Sequence, residues 1–255
     1  MKKLLILLLT TAIILVPSCI QHQTIYENQL KKKFPIDSFV QVLQKVKFID
    51  CTRYDICVPK FETSIGSGLS LGTFEDGSII LTAEHVCRVD MPKEVKFKSG
   101  LFVKNQFGLR PAAIIHMVNS EDRSIDLCAL YVPGLKTEGV GPSLVGPRVG
   151  EEVYALSAPV GIYHPPTVPI LSGIYSGPIP DTSAMLTTIP AVGGSSGSAI
   201  LNSHMKIVGV IFASHIGFHH ASIATNHKET TNFIMETFKR FYRVFKKSLP
   251  TNLVD

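Results

Sequence analysis

The sequence predicts an all-β chain built as two six-stranded antiparallel barrels with a C-terminal α-helix. Three observations carry this expectation. Sixteen prolines and 19 glycines are scattered among short apolar runs, which favours many turns over long helices. Six such runs precede, and six follow, a Gly/Pro-rich crossover over 133–147. Beyond Asn226 the period changes, with Ile234, Phe238, Phe241 and Phe245 recurring at helical spacing. The predicted organisation is a signal segment over 1–18, an N-terminal extension over 19–62, a first barrel over 63–140, a second over 141–226, and a helix with its tail over 227–255.

The N-terminal segment has the character of an export signal. Lys2 and Lys3 precede an unbroken run of 13 apolar residues and threonines from Leu4 to Val16, ended by Pro17-Ser18-Cys19. A helix of that length reaches only about 20 Å, short of the roughly 30 Å hydrocarbon core, so a secretory h-region fits better than a membrane span. Ser18-Cys19 is also similar to the end of a bacterial lipoprotein signal, with Cys19 as the lipidated residue, although Pro17 departs from the usual pattern. Lipidation, simple cleavage and an uncleaved anchor stay open. All three place the folded chain outside the cytoplasm, and the first would attach it to a membrane.

The first barrel is predicted from strands over 66–74 and 78–83, joined at Glu75-Asp76-Gly77 by the strong Asp-Gly hairpin signal. A short helical turn at His85 follows, then strands over 95–98, 101–107, 112–118 and 125–132. The second barrel is predicted from strands over 152–156, 168–175, 184–189, 198–201, 206–213 and 220–225. Asn226 can cap a last helix over about 228–247, whose apolar stripe would pack on the second barrel. Residues 20 to about 62 are less predictable.

With 45% hydrophobic and 18% charged residues the chain can bury a core and is not disordered. The net charge of +5 lies largely at the two ends, in Lys2, Lys3, Lys31, Lys32 and Lys33 and then Lys239, Arg240, Arg243, Lys246 and Lys247. A solvated helix face explains the second group better than attraction to nucleic acid or a membrane, and no nucleic-acid partner is expected. Setting Cys19 aside leaves Cys51, Cys57, Cys87 and Cys128, an even number in an oxidising compartment. Cys51 and Cys57 could close a five-residue loop, Cys87 and Cys128 could be bridged, and four free thiols remain the alternative. No C-x₂₋₄-C pair suggests a metal, and His215-x₃-His219-His220 lacks a nearby carboxylate. Nothing calls for a metal or an organic cofactor.

Three short blocks carry chemistry. Thr82-Ala83-Glu84-His85-Val86 offers a base, Ser124-Ile125-Asp126-Leu127 a carboxylate at the start of an apolar run, and Gly193-Gly194-Ser195-Ser196-Gly197-Ser198 a serine framed by glycines. Acyl transfer at a serine needs these three groups together with backbone amides that hold an oxyanion. The blocks resemble those of trypsin-like, chymotrypsin-fold serine peptidases. Val149-Gly150-Glu151-Glu152-Val153-Tyr154-Ala155-Leu156-Ser157-Ala158-Pro159-Val160-Gly161 is similar to the strand opening the second barrel in bacterial HtrA-type members. The resemblance runs from about Gly66 to the last helix. It implies a serine endopeptidase with Ser196 as nucleophile, His85 as general base and acid, Asp126 as orienting carboxylate, and the amides of Gly194 and Ser196 as oxyanion donors. It implies a peptide or protein substrate lying on Phe212-Ala213-Ser214, with Pro190 at the base of the primary specificity pocket. HtrA-type members continue into a PDZ domain; the chain stops eight residues after its last helix, so the expectation is the peptidase module alone.

Departures from the family pattern sharpen the reading. Ser195 stands where trypsin-type zymogens carry an aspartate, so activation through a new N-terminal amine is not expected. Glu84 replaces a small residue beside His85. With Pro190 rather than an acid at the pocket base, a small or medium apolar residue before the scissile bond is expected, not Lys or Arg. Two other classes were weighed. An inactive peptide-binding homologue need not keep all three side chains. An α/β-hydrolase esterase wants Gly-x-Ser-x-Gly and the order Ser, acid, His, whereas here the order is His, Asp, Ser.

Overall fold

The computed structural model describes residues 34–51, 57–90, 92, 95–118, 122–215 and 217–248. The signal segment, Cys19 and the N-terminal lysines lie outside the described residues. The described residues from Pro35 onward form one compact unit holding two closed six-stranded barrels. The first is β1 (Phe39–Cys51), β2 (Cys57–Phe74), β3 (Gly77–Thr82), β4 (Phe97–Asn105), β5 (Gly108–Met117) and β6 (Cys128–Pro133), in the order β1-β2-β3-β6-β5-β4. The second is β7 (Glu152–Leu156), β8 (Ile170–Pro178), β9 (Ala184–Thr187), β10 (Ala199–Leu201), β11 (Ile207–His215) and β12 (Phe218–Thr225), in the order β10-β11-β12-β9-β8-β7. Among the described residues two α-helices complete the fold: α1 (Glu84–Cys87) and α2 (His227–Ser248). All strand pairs within the sheets are antiparallel. Among the described residues no helix is long and apolar enough to cross a membrane.

The strand count agrees with expectation while its composition differs in the first barrel. The stretch expected as an N-terminal extension supplies β1 and the start of β2, so the barrel begins at Phe39 rather than at residue 63. In turn, the runs over 95–98 and 101–107 form the single strand β4. Val40, Val42 and Val46 alternate into the core, but Gln41 and Gln44 are buried too and hide the period. Each glutamine is satisfied by a distant carbonyl: Gln41 Nε2 donates to Gly161 O at 3.2 Å and Gln44 Nε2 to Cys87 O at 3.0 Å. At the β2–β3 turn the left-handed residue is Glu75, at φ 55°, with Gly77 already in β3. The strand expected to begin at Ile125 starts at Cys128, leaving Asp126 in the loop before it.

The four cysteines are resolved in favour of bridges where they are described. Cys87, two residues after His85, is bonded to Cys128, two after Asp126, at a sequence separation of 41. The β1–β2 register sets Cys51 opposite Cys57, which is also disulfide-bonded. A cross-link closing about 40 residues removes enough denatured-state entropy to stabilise by about 4 kcal/mol. The Cys87→Ser, Cys128→Ser double variant is therefore expected to melt roughly 10 °C lower, measured by thermal denaturation beside the parent.

Asn226 caps α2 as expected, its Oδ1 accepting the Glu229 N–H at 3.0 Å. The apolar stripe, expected to lie on the second barrel, reaches the first. Phe238 packs on Phe74, and Phe241 on both Phe74 and Tyr131. His116 of β5 stacks on Phe233 with ring centroids 4.3 Å apart. Thr237 spends its hydroxyl proton on Phe233 O, so the 2.7 Å contact with His116 is donated by Nδ1–H. Burial, with Arg240 assisting and Glu236 opposing, holds the His116 pKa below its ordinary 6.5. The unfolded chain then takes up this proton first on acidification. The stability that neutral His116 contributes is complete above 6.5 and is lost as pH falls toward the depressed folded value. Between about pH 7.5 and 5.5 the melting temperature of His116→Gln is expected to fall less than that of the parent.

Candidate active site

The site is assembled where the two barrels meet. α1 follows directly from β3 and carries His85; the loop before β6 carries Asp126; the turn before β10 carries Ser196. Asp126 holds the histidine through both oxygens. Oδ2 lies 2.7 Å from His85 Nδ1, and Oδ1 accepts the His85 backbone N–H at 3.1 Å. That double contact fixes ring orientation and, with Nδ1–H donating, leaves Nε2 as the acceptor. Asp122, four residues before Asp126, instead accepts the Ser124 N–H and hydroxyl at the exposed surface. Asp126 has its own support from the second barrel: its N–H donates to Thr225 Oγ1 at 3.2 Å, and Thr225 Oγ1 donates to Ser124 O at 3.1 Å.

Glu84 does not face solvent. Its side chain is 13% exposed and pairs with Arg88 one turn on, at 3.2 Å. Burial raises its pKa, the Arg88 charge opposes that, Asp126 adds to it and His85 opposes it. The carboxylate is thus occupied by Arg88 rather than by the imidazole.

Ser196 is brought to the helix bearing His85 by close backbone contact. Ser67 N–H donates to Ser196 O at 2.7 Å. A side chain on Gly66 would meet Val86 at 2.7 Å and Ser196 O at 3.1 Å, so the serine turn and α1 sit one residue's width apart. Gly197, at φ +88°, packs where a Cβ would fall on Ser67 O and Thr82 Oγ1. Gly194, at φ +91°, packs where one would fall on Ala158 O. Both positions therefore require glycine for conformation and for space.

The amides of this turn have a definite arrangement. Gly193 O accepts from Val160 N at 2.7 Å, and Ser195 O accepts from Ser198 N at 3.1 Å. In a trans peptide the N–H points opposite to the C=O. Pinning those two carbonyls turns the N–H groups of Gly194 and Ser196 the other way, and among the described residues neither has a hydrogen-bond acceptor. Ser195 is buried and linked within the turn, its N–H donating to Val192 O and its Oγ accepting from Val192 N.

Beside the turn runs a free strand edge. β10 pairs with β11 only as far as Val210, and Gly197 and Ser198 cover Ile211. From Phe212 onward β11 is paired to β12 on one side, and no described strand takes the other. Phe212 packs against the first-barrel core, while Ala213 and Ser214 are half-buried along that edge. Pro190 is half-buried between buried Ile189 and Ala191, and the Ala191 N–H donates to His219 O at the start of β12.

The family model of the trypsin-like peptidase domain matches residues 66–210, more than half of the chain. The chain belongs to the trypsin-like peptidase family. Three solved structures share the fold of this peptidase. A serine endoprotease from Yersinia pestis is 18% identical, with a TM-score of 0.55, over 80% of this chain and 64% of the other. The HtrA-type protease AlgW, solved with a decapeptide, is 16% identical, with a TM-score of 0.60, over 80% and 64%. A protease from M. tuberculosis in its active form is 16% identical, with a TM-score of 0.56, over 80% and 82%. The chain thus spans less than two thirds of the length of the first two. Among curated proteins none matches this peptidase by sequence.

The structure brings the elements bearing His85, Asp126, Gly194 and Ser196 together, with the β11 edge running on from Ile211, which Gly197 and Ser198 cover. Sequence reading missed Ser67, Thr225 and the turn over 158–161. A signal existed for the first of these. Glycines on both sides of a strand serine, as in Gly66-Ser67-Gly68, mark a close backbone approach. Thr225 and Val160 carry no such local mark.

Proposed function

We propose that this trypsin-like peptidase is a serine endopeptidase working through an acyl-enzyme on Ser196. His85 takes the Ser196 hydroxyl proton as Oγ attacks the scissile carbonyl. Asp126 keeps the imidazole in the required tautomer and stabilises the imidazolium. The amides of Gly194 and Ser196 hold the oxyanion. His85 then gives its proton to the leaving amine, and a water, deprotonated by the same ring, releases the second product and restores Ser196. The observation that carries this reading is the pair of amides, of Gly194 and Ser196, without an acceptor among the described residues, in a serine turn one residue's width from the helix whose His85 is bonded to Asp126.

The substrate is an extended peptide added antiparallel to the free edge of β11 at Phe212, Ala213 and Ser214. Pro190, in place of an acid at the base of the primary specificity pocket, favours a small or medium apolar residue before the scissile bond. The N-terminal segment acts as an export signal that carries this activity outside the cytoplasm, with Cys19 as the lipid attachment point where the signal is of the lipoprotein kind. The other reading is an inactive peptide-binding homologue on the same scaffold.

The experiment is labelling of the full chain with a fluorophosphonate probe beside Ser196→Ala, followed by a peptide-library profile. Labelling of the parent alone supports the endopeptidase. A folded parent that binds peptides but takes no label overturns it in favour of the binding homologue. A profile dominated by Arg or Glu before the cleaved bond would overturn the apolar preference.

A further inference from the structure

We infer that Ser67, a first-barrel residue remote in sequence from the serine turn, is the positioning residue for the oxyanion site of the second barrel. The inference rests on the endopeptidase reading above. Ser67 lies in β2, is fully buried, and uses every polar atom it has on the elements around Ser196. Its N–H donates to Ser196 O at 2.7 Å. Its Oγ donates to Gly194 O at 2.8 Å and accepts from Ala158 N at 2.9 Å. Its carbonyl accepts from Thr82 Oγ1 at 2.7 Å, three residues before His85.

The consequence follows from peptide geometry. Gly194 has two peptide planes: the one before it carries the N–H that faces the oxyanion, the one after it carries the carbonyl held by Ser67. Glycine at φ +91° has wide rotational freedom, so the donor's direction is set by what grips its neighbours. Val160 N grips Gly193 O on one side, and Ser67 Oγ grips Gly194 O on the other. Ser67 also holds Ala158, which begins the turn containing Val160, so one hydroxyl braces both grips. Val160 itself sits at φ 46°, a costly conformation for a β-branched residue. That turn needs an external tie to persist, and the hydroxyl of Ser67 supplies one. Without it, the Gly194 amide loses its fixed aim, and stabilisation of the tetrahedral intermediate declines while substrate still finds the β11 edge.

The test compares Ser67→Ala and Ser67→Cys with the parent full chain on a peptide substrate cleaved by the parent. A peptide boronic acid, which forms a tetrahedral adduct at the serine, is the second probe. Cysteine keeps the buried volume but hydrogen-bonds weakly, so it separates aim from packing. Losing one oxyanion donor costs about 10²–10³ in kcat, and disordering one is expected to cost roughly 10–10² in both variants. KM should stay within about twofold, because the Phe212–Ser214 edge is untouched, and boronate affinity should fall in step with kcat. A Ser67→Cys enzyme with the parent's kcat and boronate affinity would overturn the inference, as would a rise in KM at constant kcat. If the parent itself neither labels nor turns over, the endopeptidase reading fails first and this inference with it.

Discussion

Ser196→Ala is expected to lower kcat by about 10⁶-fold while leaving the melting temperature and peptide binding near those of the parent. The size of the loss reflects what the hydroxyl does: without it no acyl-enzyme forms, and His85 has only water to activate. Stability should change little because Ser196 is half-exposed and its place in the turn is held by backbone contacts, the Ser67 N–H to Ser196 O bond among them. The same logic makes the effects non-additive. His85→Ala and the double variant with Ser196→Ala should each be about as slow as Ser196→Ala alone, since the groups act as one unit. What survives is the contribution of the oxyanion amides and of substrate binding. Steady-state turnover, checked by the loss of fluorophosphonate labelling, measures this. A double variant markedly slower than either single one would mean that serine and histidine do not work together.

Asp126→Asn should cost about 10⁴ in kcat, again with little change in KM. The carboxylate accepts two bonds, from His85 Nδ1–H and from the His85 backbone N–H. Asparagine can accept through one atom only. If its carbonyl keeps the backbone bond, its NH₂ faces Nδ1 and forces the proton onto Nε2, which then presents a donor to Ser196 instead of an acceptor. The imidazolium formed during attack also loses its counter-charge. Thr225 should hold the substituted loop in place, because its bonds reach the backbone of 124–126 and not the carboxylate. A crystal or NMR comparison of fold, together with kcat and KM, checks the prediction. An equal fall in kcat accompanied by unfolding would instead make Asp126 a structural residue.

The side chains proposed to carry the chemistry stand out in the sequence through their immediate neighbours. Ser196 is framed by glycines that a tight turn needs, and Asp126 precedes an apolar run that becomes β6. Much of the second barrel was legible for a similar reason, since its strands are short apolar runs separated by turn residues. β1 was not, because buried Gln41 and Gln44 interrupt the alternation and are paid for only by carbonyls far away in sequence. The helix stripe was legible as a stripe, while its partner was not: periodicity reports that Ile234 and Phe238 share a face, and nothing in it names Phe74 or Tyr131 as the surface they meet.

The division has a physical basis. By itself the sequence determined what depends on short range: the strand-rich class, the capped terminal helix, the identity of the serine turn and the carboxylate, and the family that their order implies. The tertiary structure alone decided what depends on contacts across the chain. It selected Cys87–Cys128 among the possible bridges. It set Asp126 beside His85 across 41 residues, and it set Ser67 against Gly194 across 127 residues. Those pairings are chosen by closure of two barrels and by the requirement that every buried polar group find a partner, and neither condition can be evaluated within a local window of residues.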